Sequence, residues 1–196
     1  MKKSREKEQA IKVAALRLFS EKGFHSTSTR DICEEAGVSK GTLYWYWKSK
    51  EEIAFALVSE MLGRFLTVIE AMRDESASVE EKLKRLSVAI AELYYKETPY
   101  LRLLWKFRVD RHYIFSPGYT ERVITYYVQM RKALEDIIEQ GVQSGELRKV
   151  DPKQMAFIFL GITEGFELQW LENEEDFSMR EALPAIMDMI MPGLRK

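Results

Sequence analysis

Cysteine is almost missing from this chain: Cys33 is the one example among 196 residues. A single thiol excludes an intrachain disulfide and a thiolate metal cluster. Histidine is nearly as scarce. His25 and His112 stand far apart, and the sequence contains no H-E-x-x-H, no G-x-S-x-G and no phosphate-cradling glycine loop. Asp110-Arg111-His112 puts an acid beside a base, but neighbouring residues of a helix point apart. No catalytic set is recognisable. Long hydrophobic runs are also absent. The longest, Met155–Ile162, has eight residues, against the roughly 20 that span a bilayer. The basic start, MKKSREK, continues into polar residues where a secretory signal needs an apolar core. The expectation is a soluble cytoplasmic protein that is not an enzyme and uses no metal, cofactor or membrane.

What is present fits a folded globular chain: 46% hydrophobic and 31% charged residues of both signs. The net charge of −1 conceals an asymmetry. Residues 1–50 carry eleven Lys/Arg and six Asp/Glu, whereas the remainder carries nineteen and twenty-five. A basic head on an acidic body suits a head that meets a polyanion. A solvated basic face explains the same numbers equally well, so spacing has to decide.

The spacing is helical almost throughout. Ile11, Ala14, Ala15, Leu18 and Phe19 form one apolar stripe at i, i+3, i+4, i+7 and i+8, and Gly23 is placed to end that helix. Further helices are predicted at 49–73, 79–95, 99–108, 119–144, 152–173 and 179–191. Ser49–Glu52, Ser78–Glu81 and Ser178–Glu181 each spell the S-x-x-E of a capping box. Thr98-Pro99 and Asp151-Pro152 put a capping residue before a proline that loses nothing at the first helical position. The fold class is all-α. The expected division is an N-terminal three-helix head, 1–48, and a larger helical bundle, 49–196.

The informative stretch is Thr27–Lys50, TSTRDICEEAGVSKGTLYWYWKSK. Counted from Thr29, the apolar residues Ile32, Ala36, Val38, Leu43 and Tyr46 fall at positions 4, 8, 10, 15 and 18. Those are the inward positions of two short helices crossing steeply. Cys33 supplies the small side chain needed at their closest approach, and Gly37 can take the positive φ of the turn. An ordinary helical hairpin would require neither. The pattern is a helix-turn-helix, whose second helix enters the major groove. Its outward residues are Ser39, Lys40, Gly41, Thr42, Tyr44 and Trp45. Lys40 can donate to guanine or phosphate, and Thr42 offers a hydroxyl and a methyl. Gly41 permits close approach, and hydroxyls such as that of Tyr44 commonly position a protein on phosphate. Lys48 and Lys50 flank the next helix N-terminus, a favourable phosphate site. Ser28, Thr29 and Arg30 open the helix that crosses the backbone.

GFHSTSTRDICEEAGVSKGTLYWYWKSKEEI resembles the signature of the TetR family of bacterial transcriptional regulators, over roughly residues 5–57. The aromatic run Trp45-Tyr46-Trp47 departs from the family's usual residues. Tyr46 is expected to offer its hydroxyl to phosphate and Trp47 to pack inward, while base preference does not carry over. The resemblance implies a homodimer on a near-palindromic operator, paired through helices 152–173 and 179–191. Gly161 and Gly165 would let backbones approach there, although packing within the subunit explains them equally. Met187, Met189, Ile190 and Met191 form an adaptable apolar end that suits a core or an interface.

The resemblance also implies a small, largely apolar effector. It would sit in a pocket between helix 49–73 and the helices 79–95, 99–108, 119–144 and 152–173. Tyrosine is plentiful in this body, and buried phenols need partners. The residues expected at the pocket are Met61, Phe65, Tyr94, Trp105, Tyr127, Phe159, Glu164, Phe166 and Trp170. Glu164 and Glu167 lie in an apolar stretch and are expected to face solvent, a cationic ligand being the other possibility. A repressor released from double-stranded DNA by its effector is the expected function. An activator of the same fold, or a helical ligand-binding module without specific DNA recognition, are the alternatives.

Overall fold

The N-terminal stripe closes into a helix as its spacing requires. In the computed structural model, which describes residues 2–196 with side chains from Arg5 onward, α1 runs Lys2–Lys22. Ile11, Ala14, Ala15, Leu18 and Phe19 are all buried along one face. Gly23 ends the helix at φ 83°. The helices that follow are α2 (Thr29–Ala36), α3 (Lys40–Tyr46), α4 (Lys50–Asp74) and α5 (Val79–Lys96). They are succeeded by α6 (Thr98–Ile114), α7 (Pro117–Ser144), α8 (Pro152–Glu172) and α9 (Met179–Leu194). No strand occurs among the described residues beyond an isolated bridge between Leu147 and Arg195. No described helix is long and apolar enough to cross a membrane.

Two of the three capping boxes act as caps. Ser49 and Ser78 accept the amides of Glu52 and Glu81. Ser178 makes no side-chain cap bond, so the third pattern marks the helix start without capping it. Asp151 caps α8 by accepting from Lys153 and Gln154, ahead of Pro152. Helix α6 continues to Ile114 rather than stopping near 108, because Ile114 and Phe115 bury their side chains. Helix α9 passes through Pro184 and Pro192, each of which removes one ladder bond. Burial of Leu194 at its end offsets the second loss.

The chain forms two units, Met1–Met61 with Thr98–Ile124, and Leu62–Glu97 with Thr125–Lys196. In the first, α1 packs on α2, α3 and α6. The Phe19 and Phe24 rings meet Phe107 at 6.0 and 5.8 Å between centroids. Phe19 and Phe107 are buried, and each such ring stabilises the unit by roughly 1.5–3 kcal/mol. Lys12 pairs with Glu60, and Ser20 donates to the Pro99 carbonyl at 3.2 Å. Phe55 of α4 packs on Phe115 and Tyr119, with the Arg122 guanidinium 4.3 Å above its ring.

In the second unit α9 packs on α5 and α8. Buried Leu83, Leu86 and Ile90 line α5, while Met179, Leu183, Met187 and Met191 line α9. Ion pairs join the same two helices: Arg180 with Glu92, and Lys84 with Asp188 at 2.7 Å. Gly141 of α7 admits the Leu147 side chain, since a Cβ there would stand 2.8 Å from it.

Candidate nucleic-acid interface

Helix α2 is fixed at both ends by its own sequence. Ser28 accepts the Asp31 amide at 3.1 Å, and the Asp31 carboxylate accepts the Ser28 N–H at 2.7 Å. These bonds satisfy two otherwise orphaned donors and hold the Asp31 carboxyl below its ordinary value. At the other end Gly37 takes φ 64° and ψ 33°, a left-handed conformation that strains any residue bearing a Cβ. Val38 N–H then donates back to the Cys33 carbonyl at 3.0 Å. Two residues later Ser39 caps α3, accepting the Thr42 amide at 3.1 Å. Ile32, Cys33 and Leu43 are buried between the helices, and burial pushes the Cys33 thiol up. Ala36, Val38 and Tyr46 are half-buried. The two helices are therefore locked through a short core, leaving the outer face of α3 as a fixed platform.

That platform carries the residues read from the sequence. Ser39, Lys40, Gly41, Tyr44 and Trp45 are exposed and Thr42 is half-buried, with Trp45 73% exposed. Ser39 and Thr42 hydroxyls lie 2.9 Å apart. The Lys40 ammonium stands 5.9 Å from the Tyr44 ring, and the Tyr44 hydroxyl is 3.5 Å from that of Thr29. Trp45 meets Tyr46 edge-on at 4.5 Å. Ser28 and Arg30 are also exposed, but Arg30 donates to Glu34 at 2.8 Å on its own helix. Lys48 is exposed. Trp47 is half-buried, its indole N–H enclosed by protein. Lys50 stands apart from the set: its ammonium donates to the Phe24 and Thr27 carbonyls. A cationic, hydroxyl- and aromatic-bearing helix on a rigid two-helix mount can offer charge to phosphates and donors to base edges.

The residues expected around an effector divide between the units. Met61 is buried and Trp105 half-buried in the first. In the second, Phe65, Tyr94, Phe159 and Trp170 are buried, while Tyr127, Glu164 and Phe166 are half-buried. Phe65 meets Tyr94 edge-on at 5.8 Å, Trp170 meets Tyr95 at 5.0 Å, and Phe166 meets Phe177 at 5.8 Å. One expectation is corrected here. Glu167 does not face solvent: it is 5% exposed, and Tyr94 donates a hydrogen bond to it. Burial, reinforced by that carboxylate, pushes the Tyr94 phenol well above its ordinary value.

Sequence reasoning also missed an apolar groove in the second unit. Leu83, Ile138, Met155, Phe159, Met187 and Met191 are among the residues that line it. The i, i+4 spacing of Met187 and Met191 was its available signal. The apolar end of α9 proves divided: Met187 and Met191 point inward, while Met189 is 81% exposed.

Fold and interface together describe a helix-turn-helix protein with a second, all-helical body. The family model for bacterial regulatory proteins of the tetR family matches residues 11–57, and that for the tetracyclin repressor-like C-terminal domain matches 76–194. The chain belongs to the TetR family of transcriptional regulators. It is 26% identical to the fatty acid metabolism regulator protein of Bacillus subtilis (strain 168) over 195 residues, 99% of this chain and 98% of that one. Among solved structures it is similar to the TetR family regulator PfmR of Thermus thermophilus. The TM-score is 0.81 at 25% identity, covering 95% and 99% of the two chains. It also shares its fold with the regulator FadR of Bacillus subtilis, solved in complex with stearoyl-CoA. There the TM-score is 0.76 at 24% identity, covering 95% and 98%.

Proposed function

We propose that this chain is a cytoplasmic repressor that binds a near-palindromic operator as a homodimer and is released by a long-chain acyl compound, with acyl-CoA as the ligand class. The observation that carries the DNA-binding part is the outward face of α3, where Lys40, Tyr44 and Trp45 are exposed on a helix anchored by buried Leu43. Residues 1–48 form the reading head. Ser28, Thr29 and Arg30 approach the backbone, Ser39–Trp45 enter the groove, and Lys48 meets phosphate.

Pairing is assigned to α8 and α9. Phe157, Ile158 and Leu168 are 52, 47 and 40% exposed. A Cβ at Gly161 or Gly165 would meet nothing within 4 Å, so packing within the subunit does not require either glycine. A second copy pressed against that face does.

Two features support an acyl effector. The relative of similar length is a regulator of fatty acid metabolism, and the second unit holds an aliphatic and methionine-lined groove. Helix α4 contributes residues to both units. A ligand that tilts it changes how the two heads of a dimer meet DNA. Shifting such a dimer from mostly bound to mostly free takes about 5 kcal/mol of differential affinity.

The test selects bound DNA from a random pool and then titrates stearoyl-CoA, free stearate and coenzyme A against the selected duplex. Release by stearoyl-CoA alone is expected. Tight stearoyl-CoA binding with unchanged operator affinity overturns the derepression mechanism.

A further inference from the structure

Lys50 opens α4, next to the helix that reads DNA, and the sequence suggests a phosphate contact there. Its side chain is engaged within the protein. The ammonium donates to the Phe24 carbonyl at 2.7 Å and to the Thr27 carbonyl at 2.8 Å. It also lies 4.2 Å from the centre of the Phe24 ring. Swinging out to a phosphate would surrender two charge-assisted bonds and a cation–π contact in exchange for a solvated ion pair.

Those two carbonyls belong to the turn between α1 and α2. The turn is otherwise held by Thr27, whose hydroxyl donates to Gly23 at 2.8 Å and to Leu18 at 3.3 Å. Phe24 packs against Phe19 at 5.4 Å. Immediately after the turn comes Ser28, the cap of α2, and α2 passes directly through Gly37 into α3. Every joint between the Lys50 bracket and the reading helix is therefore a capped or core-packed one. An error in the angle of the turn is handed on to Lys40 and Tyr44.

We propose that Lys50 is a positioning residue: its ammonium clamps the α1–α2 turn to the start of α4 and so sets the direction in which α3 presents its outer face. It acts through α2 and touches no nucleotide. The proposal rests on the reading of α3 as the DNA-binding helix. It makes Lys50 and Lys48, two positions apart and alike in charge, different in kind.

Two measurements test it. In the first, wild-type protein is labelled with a lysine-reactive acylating reagent, with and without the selected operator. Lys50 is expected to react slowly in both states, whereas exposed Lys48 reacts fast when free and is shielded by DNA. A Lys50 that reacts as fast as Lys48 in the free protein overturns the clamp. This arm needs no variant and, in free protein, no operator, so it stands even where no DNA sequence is selected, an outcome that would instead defeat the proposed function. In the second, operator affinity is followed against salt for Lys50→Met and Lys48→Ala. Lys50→Met is expected to raise Kd about tenfold with an unchanged salt slope and faster hydrogen exchange at Thr27 and Ile32. Lys48→Ala is expected to lower the slope by about 0.9 and leave exchange alone. A slope lowered by the same amount in Lys50→Met, with exchange unchanged, makes Lys50 a phosphate contact and overturns the proposal.

Discussion

Glu51, in the first turn of α4, accepts the backbone N–H of Ser116 at 2.6 Å, a residue 65 positions further along the chain. Helix α7 starts with Pro117, which has no N–H of its own, so this carboxylate serves the helix N-terminus from outside. Replacing Glu51 by alanine is expected to cost about 1 kcal/mol, as for the loss of an N-cap. Urea denaturation reads it. An unchanged midpoint would mean that water serves the Ser116 amide equally well.

Variants at Gly37 and Tyr44 are expected to separate stability from recognition. A Cβ at Gly37 meets no atom within 4 Å, so the penalty for Gly37→Val comes from the backbone at φ 64°, about 1–2 kcal/mol. Tyr44→Ala removes an outward ring and is expected to change stability by less than about 0.5 kcal/mol. Operator affinity should nonetheless fall about tenfold. Paired thermal melts and operator titrations check both. If the two variants lose stability and affinity alike, the roles assigned to turn and helix face are wrong.

Acid should loosen α2 through Asp31. Its carboxyl is held below the ordinary 3.8 by the Ser28 amide and hydroxyl, so the folded state binds its proton more weakly than the unfolded state does. Such a group stabilises fully above its unfolded value, and the contribution disappears as pH falls through the lower folded value. Asp31→Asn should lower stability near neutrality and flatten its dependence on pH below about 4. Denaturant midpoints between about pH 7 and about pH 3 give the comparison, and parallel curves for the two proteins would remove Asp31 from the account.

The outward face of α8 should respond to bulk. Gly161 opens onto empty space, so Gly161→Leu leaves the subunit intact and favours its helix by about 0.5–1 kcal/mol. If that face pairs with a second copy, the same side chain holds the two apart. Sedimentation should then show a stable monomer with weakened operator binding. A dimer that persists would place the pairing surface elsewhere.

Much of this was legible because it is local. Gly37 between Ile32 and Leu43 announces a tight turn with small, buried contacts, and Ser28 with Asp31 announces the helix that precedes it. Helix periods located α4, α5, α7 and α8 to within a few residues. What was not legible involves partners distant in the chain. Ser178-Met-Arg-Glu181 reads like the two working capping boxes, yet Ser178 makes no cap bond. Glu167, polar in an apolar run, reads as a solvent-facing residue until Tyr94 is brought against it. The Phe24 and Thr27 carbonyls that Lys50 donates to are likewise hidden in the sequence, because proximity to α3 along the chain says nothing of which way its stem turns.

The order of residues alone determined the all-helical character, the helix-turn-helix and the outward identity of Lys40, Tyr44 and Trp45. Hydrophobic period, glycine conformation and side-chain capping all act over a few residues, and a reader of the sequence sees each of them whole. Only the tertiary structure decided that the first compact unit takes in Thr98–Ile124, that Glu51 serves Ser116 and that Lys50 grips the turn before α2. Those outcomes depend on which carbonyls, amides and rings come to lie opposite one another when helices far apart in sequence pack. A charge chooses its partner from what packing leaves within about 3 Å, and that neighbourhood is not a property of any segment by itself.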